Sequence, residues 1–317
     1  MARHREVQPA VDRESRRLAR ASWAYRLQLA LAFFAIYVIW GSSYLGIRVA
    51  LDGVPPAFLS GTRFILAGLI LLGVAWAGGG MLRPPPASRP TLAGTGVLLV
   101  AGNWGVVWSE QYVTSGVAAL IFATAPLCIA ILGAAVSSAE RITARVGFGL
   151  VLGFAGVAIL VWPKVSRGTF QDLRGELALL AAAMVWSVAS VWTKHARLGL
   201  PPFVAAGWQM LAGGVFFFSV AILLGEPARA RWEWAAGLAL MYLIVGGACI
   251  GYGSYVWLLH HVPAARAATF AYVNPVVAVF LGWALLGEPL GFFVILGTLV
   301  IVPAVFLTIA SRKTSGG

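Results

Sequence analysis

Two charged residues stand in stretches that are otherwise apolar. Arg63 falls about two turns into the run 57–77, and Glu110 closes the run 92–110. A charge placed among apolar residues at membrane depth is expensive and by default marks a function or a specific partner. One chemistry open to the two is an ion pair. The other is that each side chain reaches separately to the nearest interface. Glu110 is also the candidate proton carrier, which makes a proton the coupling ion to consider, although a carboxyl at a helix end is readily solvated instead.

Aromatic residues with a polar edge form a second set. Trp40, Ser43 and Tyr44 recur at helical spacing in one run, and Asn103, Trp104 and Trp108 do so in another. Trp186 with Ser190, Tyr252 with Tyr255, Tyr272 with Asn274, and Thr124 extend the set. Rings of this kind suit a solute that is part charged and part apolar. Any single Trp or Tyr in an apolar helix serves equally to pack or to anchor an interface, so the expectation of a substrate cavity rests on the aggregate.

Catalysis finds little support. Gly41-Ser42-Ser43 contains a Gly-x-Ser, but His195, His260 and His261 all sit at expected helix ends, where they cannot meet a serine at depth. No HExxH, Walker or EF-hand pattern occurs, so neither a metal nor a nucleotide cofactor is expected. Cys128 and Cys249 lie in separate apolar runs without ligand spacing and read as packed small side chains. The chain is expected not to be an enzyme.

The elements that must hold these residues follow from composition. The 317 residues are 60% hydrophobic and 11% charged, with mean hydropathy +0.86. Such a chain belongs in a bilayer. Ten apolar runs near the ~20-residue length of a membrane-crossing helix are expected: 30–50, 57–77, 92–110, 115–136, 145–162, 175–195, 202–224, 235–258, 265–286 and 291–310. The fold class is therefore an all-α polytopic membrane protein. Gly149 with Gly153 and Gly247 with Gly251 make GxxxG spacings that permit close helix approach. The net charge of +12 gathers at helix flanks without aromatic interleaving, so no nucleic-acid partner is expected.

The runs fall into two related halves. At one fixed offset Trp40 matches Trp186, Pro55-Pro56 matches Pro201-Pro202, Gly61 matches Gly207, Gly68 matches Gly214, and Arg48 faces Lys194. At a slightly larger one Gly102 matches Gly251, Trp108 matches Trp257, and 113–126 matches 262–275. Glu140 and Glu288 also correspond. The equivalents of Arg63 and Glu110 are Gln209 and Leu259, a joint loss of charge that an ion pair would explain. Each half has five runs, so the second enters the membrane from the opposite face, giving inverted repeats with a site between them. The division expected is a basic segment 1–29, a first repeat 30–162, a link 163–174, a second repeat 175–310 and a tail 311–317. Pro126 and Pro275 fall mid-run and are expected to break their helices, leaving the carbonyls of Phe122 and Ala271 as ligands or hinges.

Basic residues fix the orientation. Arg3, Arg5, Arg13, Arg16, Arg17, Arg20, Arg26, Arg83, Arg89, Arg141, Arg145, Lys194, Arg197, Arg266, Arg312 and Lys313 lie on the side of the termini. Only Lys164, Arg167, Arg174, Arg229 and Arg231 lie opposite. Both termini are expected to be cytoplasmic.

With Trp40-Gly41-Ser42-Ser43-Tyr44, Pro55 to Phe64, Ser115-Gly116-Val117-Ala118-Ala119, Ala271 to Val279 and Gly287-Glu288-Pro289 in place, the chain resembles the EamA-type permeases of the drug/metabolite transporter superfamily over about residues 30–310. The resemblance implies ten helices in two inverted repeats and a bacterial inner-membrane location. It also implies alternating-access export of small organic solutes such as amino acids, with membrane lipid as the other partner. Efflux of amphipathic drugs or toxins, or a non-transporting role such as lipid scrambling, is the alternative. Asn274-Pro275 is matched by Ala125-Pro126, so any role of that amide is carried by one half.

Overall fold

The computed structural model describes residues 23–80, 82–136, 142–167, 169, 173–196, 198–262 and 269–310. Arg3 to Arg20, Glu140, Arg141, Arg197, residues 263–268 with Arg266, and the tail cations Arg312 and Lys313 lie outside the described residues. Among those described, all regular structure is helical.

Helix α1 runs from Trp23 to Leu51 and α2 from Pro56 to Ala77. Then follow α3, Arg89–Ser109; α4, Ser115–Val136; α5, Ala144–Ser166; α6, Arg174–His195; and α7, Pro202–Leu223. Helix α8 begins at Trp234, passes through a π-helical stretch over Leu243–Gly251 and resumes as Tyr252–His261. Helices α9, Phe270–Leu286, and α10, Phe292–Ala310, complete the set. The first eight are long and apolar enough to cross a bilayer, and two shorter apolar helices follow.

Starts and stops follow local chemistry. Prolines occupy the first turns of α2, α3 and α7, where their missing N–H is no loss. Thr114 and Thr143 cap α4 and α5 through their hydroxyls. Helix α5 continues through Pro163 to Ser166, into the first residues of the link expected over 163–174. It is bridged by Lys164 and Glu176 at 2.7 Å.

The outer surface is apolar, with Leu69, Phe154, Leu223, Leu285 and Leu299 exposed. The interior is built largely from small residues, which lets helices of one half approach those of the other. Helix α2 packs along α7, α5 along α10, α3 against α6 and α7, α1 against α8 and α9, and α4 against α6 and α9. At the α2–α7 crossing a Cβ on Gly61 would lie 2.5 Å from the Phe218 nitrogen, and one on Gly207 would lie 2.8 Å from Leu72 Cγ. Likewise a Cβ on Gly156 would lie 2.5 Å from Ile301, and one on Gly297 would lie 2.6 Å from Leu160. Larger residues at these points would force the helices apart.

The expected break at Pro126 and the expected break at Pro275 have different outcomes. Helix α4 stops at Phe122, turns at Ala123–Thr124 and restarts at Ala125, with Pro126 in the first turn of the new segment. Helix α9 instead runs unbroken through Pro275. The neighbouring Asn274 amide ties this part of α9 to α1. In the amide orientation that satisfies its surroundings, Asn274 donates to the carbonyls of Ile36 at 3.0 Å and of Tyr37 and Phe270 at 3.2 Å. Further irregular backbone lies in π-helical turns at Ala35–Ile39 of α1 and Leu243–Gly251 of α8.

Candidate functional site

The two π-helical turns face each other, and the site is assembled around them. A π-turn shifts the hydrogen-bond register, and such turns are frequent at functional positions. Trp40 leaves the end of the α1 turn and donates from Nε1 to the carbonyl of Gly247 in the α8 turn at 2.9 Å. Its ring packs against Phe270 of α9 and Tyr255 of α8, with centroids 4.8 and 5.5 Å away. Glycine is required at Gly251, because a Cβ there would collide with the Trp40 indole nitrogen. A Cβ on Gly247 would lie 3.0 Å from Arg63 Nη2 and 3.1 Å from Ser43 Oγ. The GxxxG spacing of α8 therefore makes room for side chains of α1 and α2.

Arg63 and Glu110 are both buried, at 6% and 0% exposure. The expected ion pair is not formed. No nitrogen of Arg63 comes within 4.0 Å of the Glu110 carboxylate. The Arg63 Nε and Nη1 and both Glu110 carboxylate oxygens have no hydrogen-bond partner. The physical reason is direction. Arg63 extends across α2 toward the α8 turn, whereas Glu110 caps the end of α3 beneath α1. The two feel each other's charge without touching. Arg48 and Glu288 also act electrostatically on Glu110, and Tyr44 lies within reach of its charge. Arg48 does not extend to the interface as a free cation; its Nη1 donates to the Glu110 backbone carbonyl.

Above Glu110 lies an open cleft of about 440 Å³ lined by Arg48, Asp52, Gln111, Thr114 and Glu288 among others. A second cleft of about 410 Å³ shares Asp52 and Gln111 and adds Trp108, Glu226 and Arg231. Both open at one end of the bundle, that of the α1–α2 and α3–α4 connections.

Two carboxylates shape that end. Glu288 accepts from Ser115 N at 2.8 Å, Ser115 Oγ at 3.0 Å and Gly116 N at 3.3 Å, capping α4 from outside its own helix. Glu226 accepts from Phe58 N at 2.8 Å and caps α2 in the same way. Each follows a glycine at positive φ, Gly225 at 65° and Gly287 at 66°, and precedes a proline. The glycine closes one helix and the glutamate opens another. Sequence reasoning overlooked Glu226, although the second Gly-Glu-Pro at 225–227 was a signal for it.

The remaining expected residues are dispersed. Asn103 and Trp104 keep buried polar atoms without partners on α3, with the Trp104 ring 5.4 Å from Phe217 of α7. Trp108 pairs with Tyr112 beside the cleft. Trp186 meets Phe122 at the α4 break, Tyr252 meets Phe203, and Tyr272 meets Phe306 of α10. Thr124 and Ser190 bond to carbonyls of their own helices, those of Ile121 and Trp186. Asn274 braces the α1 turn. The junction thus gathers Trp40, Ser43 and Tyr255 with Arg63, and places Tyr44 near Glu110.

The model of the EamA-like transporter family matches residues 28–162 and 173–310. "Uncharacterized inner membrane transporter YedA" of Escherichia coli (strain K12) is 36% identical over 288 residues, 89% of this chain and 90% of that protein. "Probable terminal-alkyne amino-acid exporter" of Streptantibioticus cattleyicolor is 29% identical over 277 residues, covering 86% of this chain and 87% of that protein. A crystal structure with 22% identity superposes at a TM-score of 0.64 over 90% of this chain and 99% of its own, a likeness of fold.

Proposed function

The chain belongs to the EamA-like transporter family, and from that premise we propose that it exports small organic solutes, amino acids or related metabolites, by alternating access. The observation that carries the mechanism is the exchange of roles between halves. Gly61 meets Phe218 as Gly207 meets Leu72, and Trp40 packs on Gly251 as Trp186 packs on Gly102. In each case the sequence offset maps one contact onto the other. This reciprocity supports ten crossings in two inverted repeats, the arrangement that places a midplane site between the halves.

The same contacts refine which parts move. A rocking of one half against the other would have to unzip α2 from α7 and α5 from α10, whose glycine crossings are among the closest in the molecule. The units better suited to move are mixed: α1 with α8 and α9 on one side, α6 with α3 and α4 on the other. Helices α2, α7, α5 and α10 then serve as lateral pairs. Export is supported by the name of the Streptantibioticus relative, an inner-membrane location by the YedA likeness, and cytoplasmic termini by the basic flanks.

Purified protein in proteoliposomes, loaded in turn with each of the twenty amino acids, tests the reading. Saturable efflux of at least one is expected, and repeating the measurement across a pH gradient shows whether protons are coupled. No saturable flux of any solute in correctly inserted protein would defeat it.

A further inference from the structure

Arg63 and Glu110 are opposite charges buried in one neighbourhood, each with polar atoms that the protein leaves unanswered. Such groups are costly to bury, and an open donor or acceptor forfeits the compensation that made burial tolerable. The scaffold can satisfy a buried polar side chain at this position. In the other half, Gln209 occupies the place equivalent to Arg63, and its Nε2 donates to Thr95 Oγ1 at 2.8 Å and Thr193 Oγ1 at 3.0 Å. Nothing comparable surrounds Arg63. The Ser43 hydroxyl beside it is already committed to the Ile39 carbonyl. Arg48, the cation placed to neutralise Glu110, donates to that residue's backbone instead.

We propose that Arg63 and Glu110 together hold the head group of an α-amino-acid zwitterion, the Arg63 N–H groups donating to its carboxylate and the Glu110 carboxylate accepting from its ammonium. The inference rests on the transporter reading above and adds to it which residues seat the head group. A ligand carrying one charge answers only one of the two residues and leaves the other exposed to the full cost of burial. A zwitterion answers both and adds no net charge to the membrane interior. The cleft of about 440 Å³ above Glu110, bordered by Arg48 and Glu288, lies on the side from which such a molecule would leave and has the size of a small-molecule site. The half that carries Gln209 and Leu259 lacks both charges, so the head group has one seat and not two.

The test uses the full chain purified in detergent. Binding of the twenty free L-amino acids is measured by ligand-dependent thermal stabilisation, followed by the C-terminal amide and the N-acetyl derivative of each one that binds. The amide lacks the carboxylate and the acetyl derivative lacks the ammonium. Each is expected to bind about tenfold to a hundredfold more weakly, the worth of a hydrogen-bonded charge. Arg63→Gln, which installs the residue of the other half, should abolish the preference for acid over amide and keep the preference against the acetyl form. Glu110→Leu should do the converse. Derivatives that bind as tightly as the parent, variants that retain both preferences, or failure of all twenty to bind would overturn the proposal. Should a variant fail to fold, the comparison of derivatives on the unaltered protein still decides. Saturable flux of some other solute alongside such a failure would refute the zwitterion seat and leave the transporter reading standing, whereas no flux at all would remove that reading as well.

Discussion

Replacing Gly282 with alanine should destabilise the protein by evicting the side chain of Glu288, whose backbone N–H already bonds to the Gly282 carbonyl at 3.0 Å. Gly282 lies on α9, and a Cβ there would occupy the place of Glu288 Oε2 while standing 2.8 Å from Ser115 Oγ. The Glu288 carboxylate would have to leave the N-terminus of α4. Three acceptor contacts would go with it, one of them to the N–H of fully buried Ser115. An open buried donor costs about 1–3 kcal/mol, and loss of a negative charge at a helix N-terminus about 0.3–1 kcal/mol more. Against this stand a gain of up to about 1 kcal/mol in helix propensity from Gly to Ala and the relief of repulsion between Glu288 and Glu110. The net is a loss of roughly 1–3 kcal/mol. At about 2 °C per kcal/mol for a chain of this length, the thermal midpoint in detergent should fall ~2–6 °C. Glu288→Ala should cost a similar amount, and the double variant no more than the worse single one, because both remove the same cap. Midpoints followed by intrinsic fluorescence measure all four corners of the cycle. Losses that simply add would show that Gly282 and Glu288 act through separate contacts, and the capping argument would be wrong.

Three further outcomes follow from other contacts. Gly61→Leu and Gly207→Leu should both impair folded yield, Gly61→Leu the more, since Gly61 abuts the backbone of Phe218 and Gly207 the side chain of Leu72; an unchanged yield at either would contradict the tight crossing. Trp40→Phe keeps a ring against Phe270 but loses the bond to the Gly247 carbonyl, and should cost about 1 kcal/mol in thermal stability, with an unchanged midpoint counting against that bond. Cysteine placed at exposed Thr169 should react with an impermeant maleimide from outside intact cells, and cysteine at exposed Ala87 only after lysis; the reverse pattern would invert the orientation.

Much of the fold could be read from residue order because lipid leaves a helical chain few options. The apolar runs 115–136, 175–195 and 202–224 correspond to α4, α6 and α7 within a residue at each end. The site was harder to read, and for a definite reason. Proline announces a missing donor, so attention goes to Pro126 and Pro275. A π-turn removes no donor and changes only the register, and neither Ala35–Ile39 nor Leu243–Gly251 carries a residue type that demands it. Gly247 and Gly251 were visible as a spacing, but that they receive Arg63, Ser43 and Trp40 depends on helices distant in the chain. Asn274 was legible as an unusual residue in a greasy run, and not as the brace of an α1 turn more than 200 positions away.

The divergence of the two halves bears on what the buried charges do. If Arg63 served only to pack, its position would be free to relax toward the solution found at Gln209, an amide held by two threonines on neighbouring helices. The surroundings of the two positions differ. At the two offsets that pair the halves, the places of Thr95 and Thr193 are taken by Ile244 and Ile47, both buried and apolar. The first half thus carries a cation where the second carries a neutral amide, and it lacks the two hydroxyls that satisfy that amide. A buried cation left without those hydroxyls is costly to keep unless its open donors are completed by something the protein does not itself contain, and Glu110, open on both oxygens, shows what else that molecule must carry.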